Sequence, residues 1–250
     1  MGWIRFLIRC PLILSYIIVG FLLIILLHLL AGKNWYQTGF GKRVVTTWMK
    51  VLLFLFGIKV HVKGTPMVGM LAANHISWMD ILALDSIVAS RFVSKDDVLH
   101  WPIIGLLPKW SGTFFLKRGS AAAVSRLNVE IESALRSGST VAIFPEGGTQ
   151  DGCKVRPFFS ALLQAAIDAN VAVQSVAIRY VRDEKRDDIA SFVGDISFVA
   201  HVLRILKTPA VNVFFEFCEP INVEGLTRKQ LAEKCQAMVE DVFEREPQIH

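Results

Sequence analysis

The chain has 250 residues, 53% of them hydrophobic and 20% charged, enough to bury a full core and to carry one catalytic domain with an appendage. Its net charge of +5 favours an anionic partner, and without an RNP, zinc-finger or Lys/Arg-stripe pattern the better match is a lipid surface rather than nucleic acid. Cys10, Cys153, Cys218 and Cys235 are scattered without a Cys-x-x-Cys pair, which argues against a metal cluster or disulfide framework and fits a reducing compartment.

The apolar excess is concentrated at the N-terminus. Residues 12–31 carry no formal charge and are long enough to cross a bilayer, and the run is too long for the apolar part of a secretory signal. Arg5 and Arg9 precede it and Lys33, Lys42, Arg43 and Lys50 follow; the positive bias places the remainder of the chain on the cytoplasmic side of the inner membrane. A second apolar stretch, residues 48–58, is too short to span unless a helix reaches back through Val44, and reads equally as an interfacial helix or half of a hairpin dipping into one leaflet. Residues 1–57 are therefore expected to form membrane-anchoring helices, and residues 58–250 a catalytic domain.

From residue 58 the pattern becomes short strands alternating with helices. Strands are expected at 58–63, 67–73, 91–94, 112–117, 140–144, 171–180 and 211–217, and helices at 78–88, 120–136, 158–169 and 227–244. This alternation predicts an α/β fold in three layers, with a mixed or parallel sheet flanked by helices. The charged cluster at 182–188 reads as a solvated loop. Residues 191–206 read as a helix that packs on the core or faces lipid near a site entrance.

Three of the expected strands end in residues that can carry chemistry. The first runs into Asn74-His75-Ile76-Ser77-Trp78-Met79-Asp80. If His75 lies in the turn and the helix begins near Ser77, Asp80 falls in its first turn and can reach back to one ring nitrogen, leaving the other to take a proton from an alcohol. On one continuous helix the two side chains would lie about 140° apart and could not meet. Ser77-x-x-Asp80 is also a capping-box pattern that needs no catalysis. A second strand runs from Gly112 to Lys117-Arg118-Gly119, where arginine can grip phosphate with two parallel hydrogen bonds. The third ends in Phe144-Pro145-Glu146-Gly147-Gly148, in which proline stops the ladder and glycines let backbone amides approach a ligand. Glu146 there is an acceptor for substrate hydroxyls or an organiser of the arginine, although a tight turn alone would explain Pro-Glu-Gly-Gly.

With these three blocks in this order and spacing, the sequence resembles the PlsC-like lysophospholipid acyltransferase family. Asn74-His75-x-x-x-x-Asp80 fits that family's first motif, Gly112 to Arg118 its second, and Phe144 to Gly147 its third; Lys95, Pro102 and Gly105 also match, and the likeness covers roughly residues 60–220. The resemblance implies transfer of an acyl group from acyl-CoA or acyl-carrier protein, as co-substrate, to a hydroxyl of a lysolipid. His75 would be the general base and Asp80 its orienting partner, with no covalent enzyme intermediate. Arg118 would hold the acceptor's phosphate, Glu146 and Gly147 would shape its glycerol pocket, and Asn74 and Gly112 would complete the substrate-binding set. It also implies that no metal or organic cofactor takes part, and that the partners are a lysolipid, an acyl donor and membrane lipid.

Two departures bear on the acceptor. The family's third motif usually continues Thr-Arg-Ser, whereas here Gly148-Thr149-Gln150-Asp151-Gly152 follows, so the second arginine is missing unless Lys154 or Arg156 replaces it. In the fourth motif Ala172 and Ser175 stand where prolines are usual. The form of both segments, the second running from Gln174 to Tyr180, looks closer to members that act on lyso-ornithine lipid. The leading reading is a 1-acyl-sn-glycerol-3-phosphate acyltransferase and its nearest rival a lyso-ornithine lipid O-acyltransferase. A third reading, from another class, is a non-catalytic membrane-bound lipid-binding protein. A serine hydrolase of the nucleophile-elbow type is excluded, since Gly-x-Ser-x-Gly is absent.

Overall fold

The computed structural model describes residues 1–32, 35–95, 112–116, 120–183 and 185–245. Helix α1 (Gly2–Ala31) and helix α2 (Gly39–Phe56) form an antiparallel hairpin ahead of the sheet. They touch where Trp48 lies over Gly20: a Cβ there would come within 2.4 Å of the indole, so only glycine lets the helices close, and Tyr16 stacks on the same ring at 5.7 Å. The second apolar stretch is thus part of an 18-residue helix that starts at Gly39, with the Thr38 hydroxyl as its N-cap.

Eight strands follow among the described residues: β1 (Ile58–Lys63), β2 (Met70–Ala73), β3 (Arg91–Lys95), β4 (Phe114–Leu116), β5 (Val141–Ile143), β6 (Val173–Arg182), β7 (Lys185–Arg186) and β8 (Val211–Ile221). They pair in the order β1-β8-β6-β2-β5-β3-β4, with β7 a short hairpin return on β6. From β6 to β4 all neighbours are parallel; β8 runs antiparallel to β6, and β1 parallel to β8. The sheet is therefore mixed, and its edge strand β1 is the first in sequence.

The helices are α3 (Met79–Ile87), α4 (Ala121–Arg136), α5 (Gln164–Ala169), α6 (Phe198–Lys207) and α7 (Arg228–Glu244). Alternate residues of each strand feed two cores. Leu71 and Ala73 of β2 pack with Leu53 and Phe56 of α2, Leu84 of α3 and Ile205 of α6. Met70 and Ala72 pack with Leu127 and Ile131 of α4 and Leu231 and Val239 of α7. All four residues of β2 are fully buried, as a central parallel strand covered on both faces requires. The three-layer α/β expectation holds. Ile13, Leu52 and Leu53 share the first core, so the change near residue 57 is one of composition more than of packing.

Several boundaries differ from the sequence reading. The helix expected at 158–169 is shortened to α5, with a single 3₁₀ turn before it. The charged cluster at 182–188 is a hairpin rather than a plain loop, turned through Asp183 at φ 50°. Residues 191–206 divide into a loop and α6, which buries His201, Ile205 and Leu206 and leaves Val199 exposed.

The start of α1 and the 3₁₀ turn that follows it touch the α/β part. Near its start Arg9 donates to the carbonyls of Thr208 at 2.6 Å and Pro209 at 2.9 Å, and Trp3 lies against Lys207 at the end of α6. Just beyond its other end Trp35 is buried and Tyr36 lies against Gly112.

Candidate active site

Because β2, β5, β3 and β4 are parallel, their carboxyl ends open on one edge of the sheet, where α/β proteins gather ligands. The chain leaves β2 into the turn 74–78 and enters α3 at Met79. Asp80 then reaches back over that turn. Its Oδ2 accepts from His75 Nδ1 at 2.8 Å, from the Ile76 amide at 2.7 Å and from the Ser77 amide at 2.9 Å. The two sequence readings of this segment thus share one oxygen, which closes the turn and also fixes the imidazole. Ser77 does not act as N-cap; Trp78 occupies that position without a side-chain cap bond. With Nδ1 committed to the carboxylate, Nε2 is the nitrogen left for chemistry.

Neighbouring strands hold the turn in place. The Asn74 side chain donates to Ile178 O at 3.0 Å and accepts from Ile178 N at 2.7 Å, and so extends the β2–β6 ladder by one side-chain rung. Glu146, after β5, takes the His75 amide on Oε2 at 2.7 Å and the Arg156 amide on Oε1 at 2.7 Å. Burial raises the Glu146 carboxyl above its usual range, against the pull of those two amides. The Gln150 amide donates to His75 O at 2.7 Å, and the imidazole stacks on Phe144 at 4.0 Å between centroids.

His75 and Trp78 line a cleft of about 640 Å³. Its walls are largely apolar, with Ile81, Val93, Leu116, Leu162 and Phe192 among them, and polar groups come from Ser94, Thr149 and the glycines after Glu146. Gly147 sits at φ 74°, and a Cβ there would press on the Phe159 ring at 3.2 Å. The Trp78 indole that floors the cleft donates to His201 Nδ1 of α6 at 2.9 Å.

The expected site residues divide into three groups. His75, Asp80, Glu146, Gly147 and Asn74 are brought together, but Asn74 and Glu146 spend their polar atoms on backbone groups of β6, the His75 turn and the Arg156 loop. Gly112 stands apart: it precedes β4, at the strand end away from the cleft, where its carbonyl accepts from Arg91 Nε at 2.8 Å. Arg118, with Pro102 and Gly105, lies outside the described residues. One contact escaped the sequence reading: the Tyr180 hydroxyl of β6 donates to Asp80 Oδ1 at 2.6 Å. A separation of 100 residues leaves no local pattern that could have signalled it.

Comparisons with known proteins place the chain in a family. A family model described as Acyltransferase matches residues 59–179. A lyso-ornithine lipid O-acyltransferase of Pseudomonas aeruginosa is 38% identical, over 81% of this chain and 79% of that one. A 1-acyl-sn-glycerol-3-phosphate acyltransferase of Neisseria meningitidis is 30% identical, over 69% and 68%. The crystal structure of the 1-acyl-sn-glycerophosphate acyltransferase PlsC from Thermotoga maritima shares the fold, with a TM-score of 0.68 over 99% of this chain and 100% of that one at 21% identity. The fold and the sequence likeness define an acyltransferase. The chain belongs to the PlsC-type acyltransferase family, whose similar members are named for lyso-ornithine lipid and for 1-acyl-sn-glycerol-3-phosphate.

Proposed function

We propose that this protein transfers a fatty acyl group from acyl-CoA or acyl-carrier protein to the hydroxyl of a lysolipid without a phosphomonoester, and that its acceptor is lyso-ornithine lipid. The acceptor hydroxyl gives its proton to His75 Nε2 as its oxygen attacks the thioester carbonyl. The tetrahedral adduct collapses, the C–S bond breaks, and the departing thiolate takes the proton back from His75. Asp80 holds the ring and offsets the charge of the imidazolium. These steps need no metal or organic cofactor.

The observation that carries the acceptor is the turn after Glu146. Gly148, Thr149 and Gln150 stand where Thr-Arg-Ser is usual, so the arginine of that run is replaced by Thr149, which lines the cleft and whose hydroxyl donates to Phe192 O at 2.5 Å. The lyso-ornithine acyltransferase at 38% identity supports the same choice over the phosphate-bearing acceptor that the motifs alone had placed first.

Membrane association completes the reading. α1 is the one helix among the described residues that is long and apolar enough to cross a bilayer. Its 30 residues span about 45 Å, yet its N-terminal end and the 3₁₀ turn that follows it both rest against the α/β part, so the favoured arrangement is α1 lying along one cytoplasmic leaflet. Leu7, Leu14, Ile18, Leu22 and Leu29 would then face lipid, where they are exposed.

The test is competition between lyso-ornithine lipid and lysophosphatidate in vesicles with one labelled acyl donor, wild type against His75→Ala. Label entering ornithine lipid alone, and lost in the variant, is the expected result. Label in phosphatidate at a comparable rate overturns the acceptor, and lipid binding without turnover in either protein favours a binding protein.

A further inference from the structure

Asp80 is a fully buried carboxylate with its hydrogen bonds unevenly divided. Oδ2 takes His75 Nδ1 and two backbone amides, whereas Oδ1 faces Tyr180, whose hydroxyl donates to it at 2.6 Å. Tyr180 is itself 2% exposed, sits two residues before the end of β6 and is absent from the cleft wall. Burial, with the Asp80 charge beside it, pushes its hydroxyl well above the usual tyrosine range, so it stays protonated and remains a donor.

Without that donor a charged oxygen would be buried without a hydrogen bond from any described side chain, and the carboxylate would be free to turn. That turn would loosen the imidazole. We propose that Tyr180 is a positioning residue for acyl transfer: it holds the Asp80 carboxylate fixed in its plane, so that Asp80 in turn presents His75 Nε2 to the acceptor hydroxyl. Tyr180 touches neither substrate, and the inference rests on the general-base reading of His75 given above.

A donor on Oδ1 draws charge away from the carboxylate and weakens its hold on the imidazolium. Removing the hydroxyl should therefore raise the pH at which His75 loses its proton. The other titratable groups around the turn are Glu146, after β5, and His201 of α6, reached through Trp78; Tyr180→Phe alters neither.

The experiment is Tyr180→Phe in the full-length protein in phospholipid vesicles. kcat should fall about tenfold on the pH plateau, the scale of one charge-assisted hydrogen bond, with both KM values held within about twofold. The acid limb of kcat/KM should move up by about half a pH unit or more. In detergent, the NMR titration of ¹³C-labelled histidine, with the His75 signal assigned by its loss in His75→Gln, should move the same way. That titration needs no turnover: an upward shift in a protein inactive on every lysolipid overturns the proposed function and leaves the hydrogen-bond relay standing. Should Tyr180→Phe fail to fold, 3,5-difluorotyrosine at position 180, a stronger donor of nearly the same shape, should move the His75 titration down. An unmoved titration and pH limb in the variant that folds overturns the role of Tyr180.

Discussion

The two ends of α3 each bury an aspartate, and the pair shows how surroundings decide what a carboxylate is for. Asp80, at the N-terminal end, collects four donors: an imidazole, two amides and a phenol. It also sits where the helix dipole favours negative charge. Asp85, five residues on, has the Ser90 amide at 2.9 Å as its described hydrogen bond and lies toward the end where the dipole opposes it. Burial pushes Asp85 up to about 7. On one nine-residue helix, then, one carboxylate is organised around a cleft and the other is merely enclosed.

The sharpest way to break the comparison is to neutralise each in turn. Asp80→Asn should cut kcat by about 10²–10⁴-fold, because an amide oxygen in place of Oδ2 sets the NH₂ group against the Tyr180 hydroxyl and a neutral side chain cannot offset an imidazolium. Asp85→Asn should leave kcat within about twofold under the same assay, as befits a residue that touches neither the turn nor the cleft wall. Equal losses would mean that both aspartates act through the stability of α3, and the distinction drawn between them would fail.

A smaller effect is expected one shell out. Glu146 joins the His75 turn to the Arg156 loop by two amides, and Glu146→Gln can accept from one of them while setting an NH₂ group against the other. The expected result is a 10- to 100-fold loss of kcat with a fall of about 1–3 kcal/mol in stability, read by turnover and by thermal melting of the same sample. Full activity in Glu146→Gln would show that the turn holds its shape through Asp80 alone.

This division also marks what could be read from the chain. The strand ends were legible because a fully buried parallel strand leaves a plain apolar run, as in residues 70–73 and 141–143, and a turn follows at once in Asn74 or Pro145. The His75–Asp80 contact was legible because both partners lie within a single turn. Glu146 and Asn74 were seen as site residues but given substrate to hold, since nothing local reveals that their partners are main-chain groups 71 and 104 residues away in sequence. Tyr180 and Asp85 were missed for the same reason: the role of each depends on neighbours that the fold supplies. Gly112 marks the opposite error, because a motif placed it at the site while the register of β4 puts it at the other end of the strand.

Asp85 gives the smallest effect on activity and a distinct one on stability. An unfolded aspartate releases its proton near pH 4, whereas the folded one holds it to about 7, so across that window the native state binds more protons than the unfolded state. Stability must then fall as pH rises from about 4 through 7, at up to about 1.4 kcal/mol per pH unit from this group, and the lost part returns only on acidification. Lys42 and Arg91, which line the small cavity beside Asp85, set how much of that loss is recovered once it ionises. Asp85→Asn keeps the acceptor for the Ser90 amide and removes the titration. Melting profiles in detergent should therefore show the variant close to wild type at pH 5 and more stable at pH 8. Parallel wild-type and Asp85→Asn profiles across that range would mean that Asp85 is already ionised in the native state, and the two ends of α3 would then be alike in charge and differ in hydrogen bonding alone.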